Sequence, residues 1–256
     1  MKAVILAGGL GTRLSEETET RAKPMVEVGG KPVLWHIMKH LSFYGVKEFV
    51  VALGHKGDSI KRYFHDAITL NGSMSVELAS GRMTHHDTKP EDWLVHLIDT
   101  GPTTNTGGRL RRLRPWLADG PFIATYGDGV GDVDIGELRA QHARQGKLGT
   151  RTAVRPPARY GGLYFEGQLV SDFTEKPQAG EGWINGGFMV FEPGVLELIA
   201  GDDTSLEADV LPVLAGRRQL AAHRHDRFWQ CMDTLRDKRL LESLWESGTA
   251  PWRVWK

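Results

Sequence analysis

Apolar runs that end at a glycine recur along the chain, and each predicts a strand buried on both faces. Residues 3–7, 48–53 and 121–126 form such runs, and a glycine follows each of them. Strands of this kind lie inside parallel sheets, where helices cover both faces. We therefore expect these three segments to lie in one parallel sheet.

Segments with apolar residues at helical spacing separate and follow these strands. The spacing predicts helices over residues 32–41, 59–65, 134–145 and 234–247. The strand pattern continues, less regularly, in runs near 150–154, 169–174 and 184–191. Alternation of strand and helix favours right-handed parallel connections. The expected fold class is therefore α/β, with a doubly wound, Rossmann-like, mostly parallel sheet.

The segment from about 71 to 110 departs from this pattern. Its strand-like runs at 75–79 and 94–99 are interrupted by polar and glycine-rich residues, so we interpret it as a small additional β region. No repeat, low-complexity tract or linker divides the sequence. We expect residues 1–256 to form a single domain.

Composition and charge exclude several classes of protein. The chain has 256 residues, 40% hydrophobic and 25% charged, and its 32 basic residues balance 32 acidic ones. A net charge of zero gives no global field for nucleic acid or anionic lipid. No run approaches the roughly 18 apolar residues of a membrane span. The single cysteine, Cys231, fits a reducing compartment, so we expect a cytoplasmic protein.

A glycine-rich loop after the first strand is a candidate phosphate site. The sequence GGLGTR occupies residues 8–13, at the carboxyl end of a strand where open parallel sheets bind ligands. Its backbone N–H groups can form a nest for an anion. The loop matches neither the Walker A sequence nor the Rossmann fingerprint. Arg13, with Lys23 ten residues later, could clamp a leaving polyphosphate.

Two further positions carry chemistry that suits a phosphate reaction. Asp128 lies between two glycines at the end of a strand, where it could hold Mg²⁺, a hard ion that prefers carboxylate and phosphate oxygens. Asn185 precedes two glycines within a predicted strand, where glycine is costly unless a ligand or backbone comes close. Its side-chain amide can both donate and accept hydrogen bonds.

These motifs resemble those of the sugar-1-phosphate nucleotidyltransferases, and the resemblance covers nearly the whole chain. Within that family the sequence is most similar to the glucose-1-phosphate cytidylyltransferases. The motifs follow the family's order: GGLGTR at 8–13, KPM at 23–25, GDG at 127–129, EKP at 175–177, NGG at 185–187 and WQCMDT at 229–234. The resemblance implies a glycosyltransferase-A-like fold with a sugar-binding second half.

The resemblance also assigns site residues. Arg13 and Lys23 are the expected catalytic cations, and Asp128 with Asp233 the expected Mg²⁺ ligands; the choice of Asp233 over Asp132 or Asp134 comes mainly from the family pattern. The expected nucleotide-binding residues are Leu6, Ala7, Gly8, Gly9, Gly11, Thr12, Arg13, Lys23 and Arg109. The expected sugar-phosphate-binding residues are Tyr126, Glu175, Lys176, Asn185 and Gly186.

The expected reaction is direct attack of glucose 1-phosphate on the α-phosphate of CTP, giving CDP-glucose and pyrophosphate. The base is expected to be read by the glycine loop and by the segment from Gly81 to Arg109. UTP or dTTP as the nucleotide is one alternative, and a non-catalytic nucleotide-sugar sensor is another. The resemblance further implies a homo-oligomer and is compatible with a hexamer.

Three other features are interpreted as structural. His36 and His40 have the spacing of a zinc pair, but no third ligand accompanies them. Asp132 and Asp134 lie near a predicted helix start and are expected to cap it. Cys231 has no evident base partner, so we do not expect it to act as a nucleophile.

Overall fold

The computed structural model describes residues 1–9, 14–70, 72–87, 90–155, 162–166, 169–174 and 182–255. Within these ranges the strands are β1 (Ala3–Leu6), β2 (Glu27–Val28), β3 (Lys31–Pro32), β4 (Glu48–Leu53), β5 (Ser73–Glu77), β6 (Arg82–His86), β7 (Leu94–Asp99), β8 (Phe122–Tyr126), β9 (Gly129–Gly131), β10 (Gly149–Val154), β11 (Gly162–Glu166), β12 (Leu169–Thr174), β13 (Ile184–Phe191), β14 (Leu220–His225) and β15 (Trp229–Cys231).

The helices of the described residues connect these strands. They are α1 (Ser15–Thr18), α2 (Val33–Phe43), α3 (Gly57–Thr69), α4 (Thr106–Arg112), α5 (Arg114–Leu117), α6 (Ile135–Gln145), α7 (Leu211–Gly216) and α8 (Leu235–Glu246). Two 3₁₀ turns (Lys23–Met25 and Pro193–Leu198) and a π-helical turn (Leu206–Val210) complete the set.

In the described part of the chain, seven strands form a central sheet in the order β14-β10-β13-β8-β1-β4-β7. Six of them run in one direction, and β13 is antiparallel to both of its neighbours. The fold class predicted from the sequence is therefore confirmed. β1 lies in the centre of the sheet, between β8 and β4. This position agrees with the burial of its residues on both faces.

The core divides into two layers, one on each face of the sheet. Along β1 the side chains alternate between them, with Ala3 and Ile5 in one layer and Val4 and Leu6 in the other. α2 and α8 cover the first face, while α4 and α7 cover the second. This double coverage explains the uninterrupted apolar runs, since a strand buried on both faces has no polar side.

Most predicted elements are present, and two differ in extent. The helix predicted over 59–65 runs from Gly57 to Thr69. Residues 94–99, predicted as part of the elaboration, form the edge strand β7 of the central sheet. Of the strands described between residues 71 and 110, β5 and β6 stay outside the central sheet and form a hairpin with nearly all of its side chains exposed. The central sheet takes strands from residue 3 to residue 225, and the single domain stays a prediction.

Among the described residues, no helix is long and apolar enough to cross a membrane.

Candidate active site

A cleft lies at the carboxyl ends of β1 and β8, two parallel neighbours in the centre of the sheet. The start of α4 and the turn that begins at Lys23 form its other walls. Loops at this edge of a parallel sheet are where such folds bind ligands. The lining residues are Leu6, Ala7, Gly8, Gly9, Lys23, Pro24, Thr104, Asn105, Thr106, Arg109, Tyr126, Gly127 and Asp128.

The ammonium of Lys23 contacts two carboxylates. Its Nζ lies 2.7 Å from Oδ2 of Asp128 and 2.5 Å from Oδ1 of Asp233. The side chains of Lys23 and Asp233 are each 12% exposed, and that of Asp128 is 32% exposed. Burial opposes the charge on Lys23, but Asp128 and Asp233 outweigh it and raise the pKa of this lysine above its ordinary value. Lys23 is therefore charged near neutral pH.

Three separate pieces of backbone place this trio. Lys23 begins a 3₁₀ turn whose Pro24 packs so closely on Gly127 that a Cβ there would lie 2.6 Å from the proline Cγ. Asp128 follows β8, and its carbonyl accepts the N–H of Met232 at 2.8 Å. Asp233 therefore lies beside Asp128 although the two are far apart in sequence.

Asp233 is held by the start of α8. Thr234 caps this helix, and Asp237 accepts the backbone N–H groups of Asp233 at 3.1 Å and of Thr234 at 2.9 Å. This reciprocal arrangement is a capping box, and it fixes the backbone of the residue before the helix. A local signal in the sequence thus orients one of the two carboxylates.

The neighbouring aspartates have other partners. Asp134 caps α6 by accepting the N–H of Glu137, as expected from the sequence. Asp132 does not cap: its carboxylate contacts the His225 ring at 3.1 Å and the Arg227 guanidinium at 3.4 Å. The expectation that Asp132 caps the helix is wrong, because β14 and the chain after it bring two basic side chains to that carboxylate.

Arg109 is buried and bonded to protein oxygens. Its guanidinium donates to the carbonyls of Leu53, Gly101 and Gly8 at 2.9, 2.9 and 3.1 Å, and to Oγ1 of Thr100 at 2.7 Å. These acceptors lie at the carboxyl ends of β1, β4 and β7 or in the residues directly after them. A Cβ on Gly8 would lie 2.2 Å from the Arg109 Cζ. Arg109 therefore braces the glycine loop, and its predicted contact with the nucleotide stays a prediction.

Tyr126 lines the end of the cleft at β8, and Asn185 is hydrogen-bonded to it. The Asn185 Nδ2 donates to the Tyr126 hydroxyl at 2.9 Å, and Oδ1 of Asn185 accepts from Arg151 Nε at 2.8 Å. Asn185 pairs with Ala153 in the β10–β13 ladder, and the register shifts next to this pair, between Ala153 and Arg151. The carbonyl of Gly186 accepts from the Trp229 indole at 2.7 Å.

Five predicted site residues lie outside the described residues: Gly11, Thr12, Arg13, Glu175 and Lys176. Their roles stay predictions. Of the other predicted residues, Leu6, Ala7, Gly8, Gly9, Lys23, Arg109, Tyr126 and Asp128 line the cleft. Asp233 and Asn185 join it through their contacts with Lys23 and Tyr126. Gly186 follows Asn185 and contacts Trp229. Gly81 and Arg82, predicted to help read the base, lie at the exposed β5–β6 turn and do not line it.

Sequence reasoning missed Glu207, and it included residues 104–106 only within the broad segment from Gly81 to Arg109. Thr106 lines the cleft, and its Oγ1 donates to Glu207 at 2.6 Å. Glu207 also accepts the hydroxyl of Tyr126. It lies on the π-helical turn, a rare conformation that often occurs at functional sites. A glutamate in a polar stretch carries no such signal in a single sequence.

The histidine pair and the cysteine have structural environments. Burial lowers the pKa of both His36 and His40 to about 4, and each ring bonds a backbone carbonyl, of Val28 and Val133 respectively. No cluster of three or more metal-binding side chains occurs among the described residues. Burial, with Asp233 and Asp128 nearby, raises the pKa of Cys231 to about 12, which keeps its thiol protonated.

The cleft and its two close carboxylates lie at the carboxyl edge of a mostly parallel sheet, which is the ligand-binding edge of open α/β proteins. Comparison with protein families is more specific. The nucleotidyl transferase family matches residues 2–237. The chain belongs to this family.

Relatives resemble the chain over its whole length. The glucose-1-phosphate cytidylyltransferase of Salmonella typhi is 49% identical over 257 residues, covering 100% of both chains. The probable glucose-1-phosphate cytidylyltransferase of Bacillus subtilis is 38% identical, again covering 100% of both. The crystal structure of HddC from Yersinia pseudotuberculosis complexed with GMP-PN superposes with a TM-score of 0.69 at 24% identity, covering 95% of this chain and 99% of that one. At 24% identity, this structural similarity shows a shared fold.

Proposed function

We propose that the protein transfers the cytidylyl group of CTP to glucose 1-phosphate, giving CDP-glucose and pyrophosphate. The choice of substrates is supported by 49% identity to the Salmonella typhi glucose-1-phosphate cytidylyltransferase over the full length of both chains. The chemistry is supported by one observation in the cleft, the ammonium of Lys23 held between Asp128 and Asp233.

In the proposed reaction a phosphate oxygen of glucose 1-phosphate attacks the α-phosphorus of CTP. The bond between the α-phosphorus and the bridging oxygen breaks, and the electron pair leaves with pyrophosphate. Such a transfer needs charge neutralisation and alignment, and little covalent work by the protein. No enzyme-bound intermediate is part of the proposal. Lys23 supplies positive charge beside the reacting phosphates, and Arg13 is proposed to hold the leaving group.

The residues of the cleft fit a magnesium ion. Asp128 and Asp233 each place a carboxylate oxygen against the same ammonium, so two hard anionic ligands already converge on one cation. Mg²⁺ is commonly held by one or two carboxylates together with substrate phosphates. When bound there, Mg²⁺ would neutralise phosphate charge. We propose these two residues as its ligands.

The sugar phosphate is proposed to bind at the Tyr126 end of the cleft. Asn185 offers an amide to a sugar hydroxyl group there, and Gly186, which follows it in β13, is proposed to contribute its backbone. Glu175 is proposed to accept sugar hydroxyl groups, and Lys176 to hold the attacking phosphate. The nucleotide is then proposed to lie along the glycine loop.

The decisive experiment is a substrate panel. CTP, UTP, dTTP and GTP are each incubated with several sugar 1-phosphates and Mg²⁺, and release of pyrophosphate is measured. Preference for CTP with glucose 1-phosphate is expected, because a buried site built for one base edge leaves a polar group unpaired with another. Preference for UTP or dTTP would overturn the cytidylyl assignment. Binding without turnover of any pair would favour a nucleotide-sugar sensor instead.

A homo-oligomer in the cytoplasm also belongs to this proposal. The end of α3 and the β5–β6 hairpin expose five large apolar side chains, which a second copy of the chain could cover: Ile68, Leu70, Val76, Leu78 and Met83. Light scattering coupled to size-exclusion chromatography measures the oligomeric state. A monomeric mass at micromolar concentration would contradict the oligomer.

A further inference from the structure

A chain of hydrogen bonds crosses the end of the cleft, and its donors and acceptors can be assigned without ambiguity. It begins at Asn185, whose Oδ1 lies 2.8 Å from Arg151 Nε and 3.0 Å from the backbone nitrogen of Gly187. Both neighbours are donors only. The oxygen of the Asn185 amide must therefore face them, and its nitrogen must face Tyr126.

The direction of the next bond follows. Because an amide nitrogen donates and does not accept, the Tyr126 hydroxyl accepts from Asn185 Nδ2 at 2.9 Å. The single proton of that hydroxyl goes to Glu207. Burial, with Glu207 nearby, raises the pKa of the Tyr126 phenol, so the hydroxyl keeps this proton at any working pH.

Glu207 is the last acceptor of the chain and joins its two sides. Its Oε2 accepts from Thr106 Oγ1 at 2.6 Å and from Ser205 Oγ at 3.1 Å, while Oε1 accepts from Tyr126. Thr106 stands on the α4 side of the cleft and Tyr126 at the end of β8. One carboxylate thus fixes hydroxyl groups from both walls.

We propose that Glu207 is a positioning residue that fixes the hydrogen-bond direction of the sugar subsite, so that Tyr126 accepts and Asn185 donates toward one substrate hydroxyl group. The inference rests on the proposed function, since it takes this end of the cleft as the sugar side. The Tyr126 oxygen keeps a lone pair, and the Asn185 nitrogen keeps its second hydrogen. A hydroxyl group matches this pair because it can donate and accept at once.

The main test is kinetic, with each substrate varied in turn at saturating levels of the other. Glu207→Ala frees the Tyr126 proton to point into the cleft, so the KM for the sugar 1-phosphate should rise about tenfold or more, the usual penalty for a mispaired buried group. The KM for the nucleotide should change far less. Glu207→Gln keeps an oxygen acceptor and should recover most of the loss. Equal rises in both KM values, or no recovery with glutamine, would overturn the proposal.

Two further variants separate positioning from general damage. Asp209 lies on the same turn and binds the backbone nitrogen of Ser205 at 2.7 Å, away from Tyr126. Asp209→Ala is therefore the matched control, and wild-type kinetics are expected. In a Tyr126→Phe background, Glu207→Ala should have little further effect, because residues that act through one another are not additive. Full additivity would mean that Glu207 does not act through Tyr126.

An NMR measurement on the substrate-free protein tests the role of Glu207 independently of the proposed function. The side-chain amide peaks of Asn185 in a ¹⁵N-labelled sample are assigned by their loss in Asn185→Asp. Glu207→Ala should shift these peaks, and Asp209→Ala should not. Unshifted peaks would overturn the role of Glu207 even in an active cytidylyltransferase. Shifted peaks in a protein that turns over no substrate pair would support Glu207 while the proposed function failed.

Discussion

Replacing Lys23 with alanine tests both the stability and the chemistry of the cleft. The substitution removes an ammonium that lies 2.7 Å from one carboxylate oxygen and 2.5 Å from another, and leaves Asp128 and Asp233 close together with like charge. The Lys23 side chain belongs to neither apolar layer of the core, so the central sheet and both layers should persist in the variant. The variant should therefore fold but be less stable and less active.

The size of each effect follows from the burial of the trio. Removing one partner of a buried ion pair costs about 3–5 kcal/mol. The Asp128 side chain is 32% exposed, so water takes part of that charge and the lower end, about 3 kcal/mol, is expected. For a chain of this size that loss lowers the Tm by roughly 6–12 °C. Loss of one preorganised charge contact should reduce kcat by about 10²–10³-fold.

The assay combines thermal unfolding with steady-state release of pyrophosphate. Mg²⁺ should raise the Tm of Lys23→Ala more than that of the wild type, because a dication can take the place of the lost charge. Lys39→Ala is the control: Lys39 also forms a partly buried ion pair, with Glu91 at 2.9 Å, but outside the cleft. It should keep wild-type kcat. A folded Lys23→Ala protein with wild-type turnover would refute the role of Lys23 in the chemistry.

Other predictions concern the metal, the loop and the core. Asp128→Asn should abolish Mg²⁺-dependent activity, as should EDTA on the wild type, and activity that persists without divalent metal would contradict the mechanism. Gly8→Ala would place a Cβ 2.2 Å from the Arg109 guanidinium carbon and should cost about 1–3 kcal/mol in a denaturant titration. Gly9→Ala should cost little, because its Cβ would meet no atom of the described residues within 4 Å. Burial lowers the pKa of His36 to about 4, so the unfolded state binds the proton first and stability should fall as the pH drops from 6.5 toward 4. His36→Gln should flatten that fall in Tm, and an unchanged slope would show that His36 does not cause it.

The parts of the fold that depend on local patterns could be predicted from the sequence. β1, β4 and β8 are continuous apolar runs because helices cover both faces of the sheet. The starts of α6 and α8 carry Asp134 and Thr234, whose side chains accept backbone N–H groups three residues on. Burial and capping act within a few residues, so each leaves a readable signal.

The order of the strands and the partners of the site residues needed the tertiary structure. β13 enters the sheet antiparallel between β8 and β10, and nothing in its apolar pattern indicates that direction. The family resemblance implies a contact of Arg109 with the nucleotide, which stays a prediction. Only the fold shows that its guanidinium also donates to the carbonyls of Leu53, Gly101 and Gly8, at the ends of three strands. A residue's type shows what it can bond, but only the fold decides which partners are within reach.

The candidate site shows the same division. The glycines of the loop, Lys23 and Asp128 could be nominated from their residue types and their places after strands. Their meeting with Asp233 was expected only from the family resemblance, because 105 and 210 residues separate Lys23 from its two partners and no local pattern connects them. Glu207 left no sequence signal, since its importance lies in accepting hydroxyl protons from two walls of the cleft. The sequence by itself determined the strands and the helix caps, and it nominated residues for phosphate binding. Tertiary structure decided how Lys23 meets Asp128 and Asp233, and the direction of the hydrogen bonds from Asn185 to Glu207, because those depend on distances between segments remote in the chain.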